Sequence, residues 1–118
     1  MDRFAAFAIL AVGVLLAGVG ALAYRATMSG ASYVQVSIMH YSFQPVNLTV
    51  RAGTTVRWIN MDHVEHTITF GTHDAPSGIG SGLLGHMGGF AYTLTEPGIY
   101  PYHCDPHPYM TATIAVVP

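Results

Sequence analysis

Not one lysine occurs in this chain, and its four basic residues are all arginines. Such a surface offers little to a phosphate backbone, which excludes nucleic acid as a partner on electrostatic grounds. There is a single cysteine, Cys104, so no internal disulfide forms. No cysteine lies near the N-terminus to carry a lipid. No internal repeat is visible, and no segment after residue 25 has a helical period. Charge is sparse, at 8% of the chain. From Ala26 onward only Arg51 and Arg57 are basic, against five acidic residues, which leaves that part mildly negative.

What is present divides unevenly. Phe4 to Ala23 is twenty residues without a charge. As a helix this run reaches about 30 Å, the thickness of a bilayer's hydrocarbon core. Two readings stand. It is an uncleaved transmembrane anchor, favoured because it is longer than the usual signal core, or a secretory signal peptide ending at Ala21-Leu22-Ala23. Either places the rest of the chain outside the cytoplasm, in the periplasm or on the outer face of the cell membrane. Arg3 and Arg25 flank the run one at each end and do not orient it. The expected organisation is a leader or anchor over 1–25, a small-residue linker over 26–32, and one domain over 33–118.

That domain reads as all-β. Tyr33 to Met39 alternates, with Val34, Val36 and Ile38 on one face. Val46–Val50, Thr54–Asn60, His66–Phe70, Gly89–Thr95, Ile99–Cys104 and Thr111–Val117 are the other expected strands. Gly71 to Gly89 reads as loop, with seven glycines and little periodicity. Pro97-Gly98 makes a turn. Many short strands with frequent turn signals indicate a sandwich or barrel. Trp58, Phe43, Phe70 and Tyr100 are its expected large core members. Alternation along the Tyr100 strand sends Tyr100, Tyr102 and Cys104 inward and Pro101 and His103 outward.

The chemistry concentrates in Cys104-Asp105-Pro106-His107-Pro108-Tyr109-Met110. A thiolate, an imidazole and a thioether on one short loop form a soft donor set. One more imidazole completes the two-histidine, one-cysteine site with a weak methionine that holds copper in electron-transfer proteins. Pro106 and Pro108 fix φ on both sides of His107 and argue against a helix there. The second imidazole has two upstream candidates, His63 and His66. His66 is preferred because it opens a β-rich run that fixes its direction. His40, His73 and His86 have no partner spacing and read as surface groups, and a weak second site using His63 and His73 is a minor alternative.

The segment Tyr100–Met110 resembles the copper loop of the amicyanin type within the plastocyanin/azurin family of cupredoxins. The likeness extends to Gly53–Asn60, His66-Thr67, Gly82-Leu83-Leu84 and Glu96–Tyr100, and spans roughly residues 33–117. It implies a cupredoxin-like Greek-key β-sandwich, preceded here by one N-terminal hydrophobic helix. It implies one type 1 copper held by His66, Cys104, His107 and Met110, and single-electron transfer between transient redox protein partners, with no small-molecule substrate and no enzymatic activity. The downstream imidazole of the family reaches the surface through an apolar patch, whose counterpart here is His107 with Pro106, Pro108 and Tyr109. The glycine-rich stretch Gly82–Gly89 is the expected neighbouring rim, in which Leu83 and Leu84 read either as contact residues or as core caps. His103 reads either as a second electron port or as an ordinary surface histidine. One departure stands out. The family's usual asparagine after the upstream histidine, which ties the two ligand loops together, is Thr67 here, and this is expected to alter the reduction potential. Glu65, an acid beside the ligand, reads as solvated or as favouring Cu(II) by its charge. The rival to an electron carrier is a copper storage or delivery protein.

Overall fold

The computed structural model describes residues 33–118. The expected anchor or signal over 1–25 and linker over 26–32 lie outside the described residues. Among the described residues no helix is long and apolar enough to cross a membrane.

Nine strands form. They are β1 (Tyr33–Met39), β2 (Ser42–Gln44), β3 (Asn47–Arg51), β4 (Thr54–Asn60), β5 (Thr69–Thr72), β6 (Ala75–Gly80), β7 (Gly89–Leu94), β8 (Gly98–His103) and β9 (Thr111–Val117). They build two sheets, one ordered β3-β9-β8-β5-β6 and one ordered β2-β1-β4-β7. β1 pairs parallel with β4 and β3 parallel with β9, while the other pairings are antiparallel. The expected all-β sandwich is therefore what the chain forms.

Period-two patterning decides which face is buried. In β4, Thr54, Val56, Trp58 and Asn60 are buried on one face; in β9, Ala112, Ile114 and Val116 are. Trp58 sits at the centre. Its ring lies 5.9 Å from Phe70, 5.7 Å from Phe90 and 5.6 Å from Tyr102, and Phe43 packs 4.7 Å from Tyr102. Burying side chains of this size stabilises by about 1.5–3 kcal/mol each. Tyr100 is only partly buried, and its hydroxyl donates to the Glu96 carbonyl (2.6 Å). Tyr102, two residues on, takes the core place expected of it.

Three other expectations need correction. The stretch after Gly71 is not all loop, because β5 and β6 make an antiparallel edge hairpin with a register shift between Thr69 and Gly71. Every residue of β6 is exposed, so no apolar alternation marks it. Gly71 makes the hairpin feasible: its φ is +96°, and a Cβ there would lie 2.5 Å from the Ala75 carbonyl oxygen. The strand expected from His66 begins at Thr69. His66 itself makes an isolated bridge with Leu84, exchanging bonds of 3.2 and 2.8 Å. Lastly, His103 is buried rather than exposed, at 2% exposure. The outer face of β8 is covered there, with the ring held between the Gly71 carbonyl and the Asp105 carboxylate. It is not a surface electron port.

Candidate metal centre

The upstream side of the centre is set by a buried amide. Asn60 ends β4, and its Nδ2 donates to the carbonyls of Val64 (2.9 Å), Leu84 (2.9 Å) and Gly85 (3.2 Å). Its Oδ1 accepts from the Asp62 N–H (3.0 Å). Its backbone adds bonds to Gly88 (2.9 Å) and Met87 (2.6 Å). One side chain thus staples the 61–66 loop to the 84–88 loop, and the Leu84 bridge then fixes His66.

His66 is fully buried, and its two nitrogens face different ways. Nε2 lies 2.8 Å from Asp62 Oδ2. A carboxylate only accepts, so Nε2 carries the hydrogen and the neutral ring offers Nδ1 as donor atom. Nδ1 lies 3.6 Å from Cys104 Sγ and 3.2 Å from His107 Nδ1. Asp62 also accepts from the N–H groups of His40 (2.8 Å) and Tyr41 (2.9 Å). Partial burial alone would raise its carboxyl; the Tyr41 amide, His66 and the His40 amide outweigh this and hold it below the usual carboxylate value.

Those two amides belong to the two-residue turn between β1 and β2. Both turn residues are left-handed, His40 with φ 54° and Tyr41 with φ 56°, as such hairpins require. The turn presents the Tyr41 ring edge-on to both imidazoles, 5.3 Å from His66 and 4.9 Å from His107.

The downstream side is the short loop after β8. The Cys104 N–H donates to the Met110 carbonyl (3.1 Å), the His107 N–H to the Cys104 carbonyl (3.2 Å), and the Met110 N–H to the His107 carbonyl (2.8 Å). These bonds close the loop on itself and bury Cys104 and Met110. His107, between its prolines, stays half-buried with Nδ1 3.4 Å from Cys104 Sγ. Burial pushes the Cys104 thiol up; the Thr67 and His107 amides oppose this, and the Asp105 carboxylate adds to it.

His66, Cys104 and His107 are therefore brought together, their donor atoms all within 4.8 Å of one another. The set fits copper in chemistry and in size. One thiolate and two imidazoles suit Cu(I) and Cu(II) alike. Separations of 3.2 to 3.6 Å between donors match one small ion at bond lengths of about 2.0–2.3 Å.

Thr67 ties the two sides together. Its N–H donates to Cys104 Sγ (3.4 Å), and its hydroxyl accepts from the Asp105 N–H (2.8 Å). That hydroxyl also meets Thr69 Oγ1 (2.8 Å), which donates to Asp105 Oδ2 (2.9 Å). Asp105 Oδ1 receives His103 Nε2–H (3.0 Å), while His103 Nδ1 lies 2.9 Å from the Gly71 carbonyl. Although Thr67 stands where the family usually has asparagine, its hydroxyl still ties to the loop backbone at Asp105, and Thr69, Asp105 and His103 extend that tie.

The remaining histidines stay out of the triad. His63 stacks on His86, with ring centroids 3.8 Å apart. His73 lies beside His103 and Asp74. Glu65 is exposed. In the glycine-rich stretch, Leu83 is 61% exposed while Leu84 packs on the core, so of the two leucines only Leu84 caps it. Sequence reasoning missed Asn60, Asp62 and Tyr41. Only Asp62 left a trace, as an acid four residues before His66.

Comparison with known proteins agrees with this geometry. The model of copper binding proteins of the plastocyanin/azurin family matches residues 31–117. Amicyanin of Paracoccus denitrificans is 32% identical over 117 residues, covering 82% of each chain. A reduced mutant amicyanin superposes with a TM-score of 0.64 at 29% identity, covering 76% of this chain and 85% of that one. The purple cupredoxin of Nitrosopumilus maritimus gives a TM-score of 0.64 at 28% identity, covering 70% and 97%. With a buried cysteine, two converging imidazoles and a family match over most of its length, this chain belongs to the copper-binding plastocyanin/azurin family.

Proposed function

We propose that this protein is a blue-copper electron carrier, with His66, Cys104 and His107 as close copper donors and Met110 as the weak thioether donor. The convergence of Cys104 Sγ with two imidazole Nδ1 atoms in a buried pocket carries this reading. A copper ion bound there supplies a one-electron couple. The chain's own work is to hold the donors still and dry. Asn60 and the Leu84 bridge fix His66, the loop bonds fix Cys104 and His107, and Thr67 locks the two sides together. A rigid donor set reorganises little when its charge changes, which suits a carrier. The buried thiol must lose its proton when metal binds.

His107 is the half-buried donor and marks the exit for the electron. Tyr109, 71% exposed, stands 6.1 Å from its ring. Tyr41, Leu83 and Met87 add exposed apolar surface on the loops around the centre. Such a rim suits a small, short-lived contact with a redox protein. The apolar run over 4–23 supports a place outside the cytoplasm, tethered to the membrane or secreted. A storage or delivery role is less well supported, because two of the three close donors are buried. No substrate pocket enters the reading, and an enzyme of this fold would need further copper centres.

The test is direct. The full-length chain loaded with Cu(II) is expected to turn intensely blue, to bleach with reductant, and to recover on oxidation. Cys104→Ser is expected to abolish the colour. A wild-type chain that takes no copper, or a Cys104→Ser chain with the same colour, overturns the proposal.

A further inference from the structure

The donor loop leaves the five-stranded sheet at its shortest ladder. β8 meets β5 only through Tyr102 opposite Phe70 and His103 opposite Thr69, and the chain then turns off into Cys104. His103 is the last rung before the thiol, and it is almost wholly buried. We propose that His103 is a positioning residue of the metal centre, a role that rests on the centre holding copper. It clamps the donor loop to the edge hairpin and, through Asp105 and Thr67, sets the Cys104 sulfur.

Three observations carry this. The first is that the ring is held at both ends. Its Nδ1 lies 2.9 Å from the Gly71 carbonyl oxygen and its Nε2 lies 3.0 Å from Asp105 Oδ1. A carbonyl and a carboxylate only accept, so the ring bridges them as the donor. The second is closure. The other oxygen of Asp105 accepts from the Thr69 hydroxyl (2.9 Å), and Thr69 is the residue opposite His103 on β5. His103, Asp105 and Thr69 thus form a closed circuit across the two strands at the point where their ladder ends. The third is reach. The Asp105 N–H donates to the Thr67 hydroxyl (2.8 Å), and the Thr67 N–H donates to Cys104 Sγ (3.4 Å). Groups that bond to a metal-binding sulfur, and those that hold such groups, orient the ligand and tune the metal.

A residue that merely filled space would not need polar partners. A buried imidazole is costly unless its nitrogens are paired, and an apolar ring of the same size would fill the site without that demand. Both pairings of His103 lead to structures that frame the donor loop, one to the hairpin and one to the loop itself. His103 touches no copper donor through its ring, so its effect on the sulfur passes through Asp105.

Substitutions that divide the two bonds test this in the full-length protein. His103→Phe keeps the bulk and removes both bonds, His103→Gln keeps a donor toward Asp105, and His103→Asn keeps one toward Gly71. With copper bound, His103→Phe is expected to weaken copper about tenfold in competition with a chelator and to shift the visible absorption maximum. His103→Gln is expected to restore both, and His103→Asn is not. In the copper-free protein, the residue-105 amide is expected to exchange about tenfold faster in His103→Phe and His103→Asn, and at the wild-type rate in His103→Gln. Asp105→Ala, a change at a side chain 58% exposed, leaves the core filled and is expected to match His103→Phe in copper affinity and absorption. A chain that takes up no copper sinks the copper reading, while amide exchange still decides whether the clamp exists. Wild-type behaviour in His103→Phe overturns the proposal. Equal loss in all three His103 variants, the result that packing alone predicts, overturns it too.

Discussion

At the residue scale, two side chains carry more of the centre than their ordinary chemistry suggests. Thr67 has one hydroxyl where an amide is usual in the family, yet that hydroxyl is satisfied on both sides, by the Asp105 N–H and by Thr69 Oγ1. Thr67→Val keeps the shape and removes the oxygen, leaving the Asp105 N–H without its partner. Chemical denaturation is expected to show a loss of about 1–2 kcal/mol. The reduction potential is expected to move as well, because the Thr67 N–H bonds the Cys104 sulfur and shifts with the loop. Thr67→Asn tests the same tie from the other direction, and a potential unchanged in both variants would refute any tuning role. Asn60 is the second such residue. Asn60→Ala removes the donor that three carbonyls share and the acceptor of the Asp62 N–H. Buried groups left unpaired cost about 1–3 kcal/mol each, less where water enters, so a loss of about 3 kcal/mol is expected. Copper retention in the presence of a chelator is expected to fall with it, since His66 loses its frame.

At the element scale, the edge hairpin β5–β6 shows how a strand without a core face still serves the site. Its β6 residues bury nothing, but its Gly71 carbonyl receives His103 and its Thr69 hydroxyl holds Asp105. Gly71→Ala sets a Cβ against the Ala75 carbonyl at a φ that L-residues rarely adopt. A destabilisation of about 2 kcal/mol is expected by urea unfolding, together with faster amide exchange at Thr69 and Thr72. The bounds of β1, β4 and β9 were legible in the residues because each buries one face, so side-chain type alternates with position. β6 was not, because exposure on both faces erases that signal, and β2 is only three residues long. His103 was misjudged for a related reason: alternation reports which way a side chain points, not what lies over it. Two of the three converging side chains, Cys104 and His107, were legible from the cysteine loop, whose chemistry is local in sequence. Asn60, Asp62 and Tyr41 act through contacts that only the folded chain creates.

At the scale of the whole molecule, the metal centre sits where loops from both sheets converge, so its rigidity depends on the two sheets staying in register. Tyr102 is one of the residues that secures this. It lies on β8 in the five-stranded sheet, and its ring meets Phe43 and Trp58 from the four-stranded one. Burial pushes its phenol up to about 12. In the unfolded chain a tyrosine ionises near 10. The folded state therefore disfavours the phenolate, and the sign follows. This contribution to stability is fully present below about pH 10 and is lost as pH rises through about 12. A shift of this size corresponds to about 2–3 kcal/mol. Urea unfolding followed from pH 9 to pH 12 is expected to show the wild type losing that much stability beyond whatever the more exposed tyrosines contribute. Tyr102→Phe keeps the ring between the sheets and removes the ionisable group, so its alkaline limb is expected to be flatter by the same amount. The copper colour, which depends on loops held by both sheets, is expected to persist to higher pH in that variant. Parallel alkaline limbs in the two proteins would show that the sheets part for another reason.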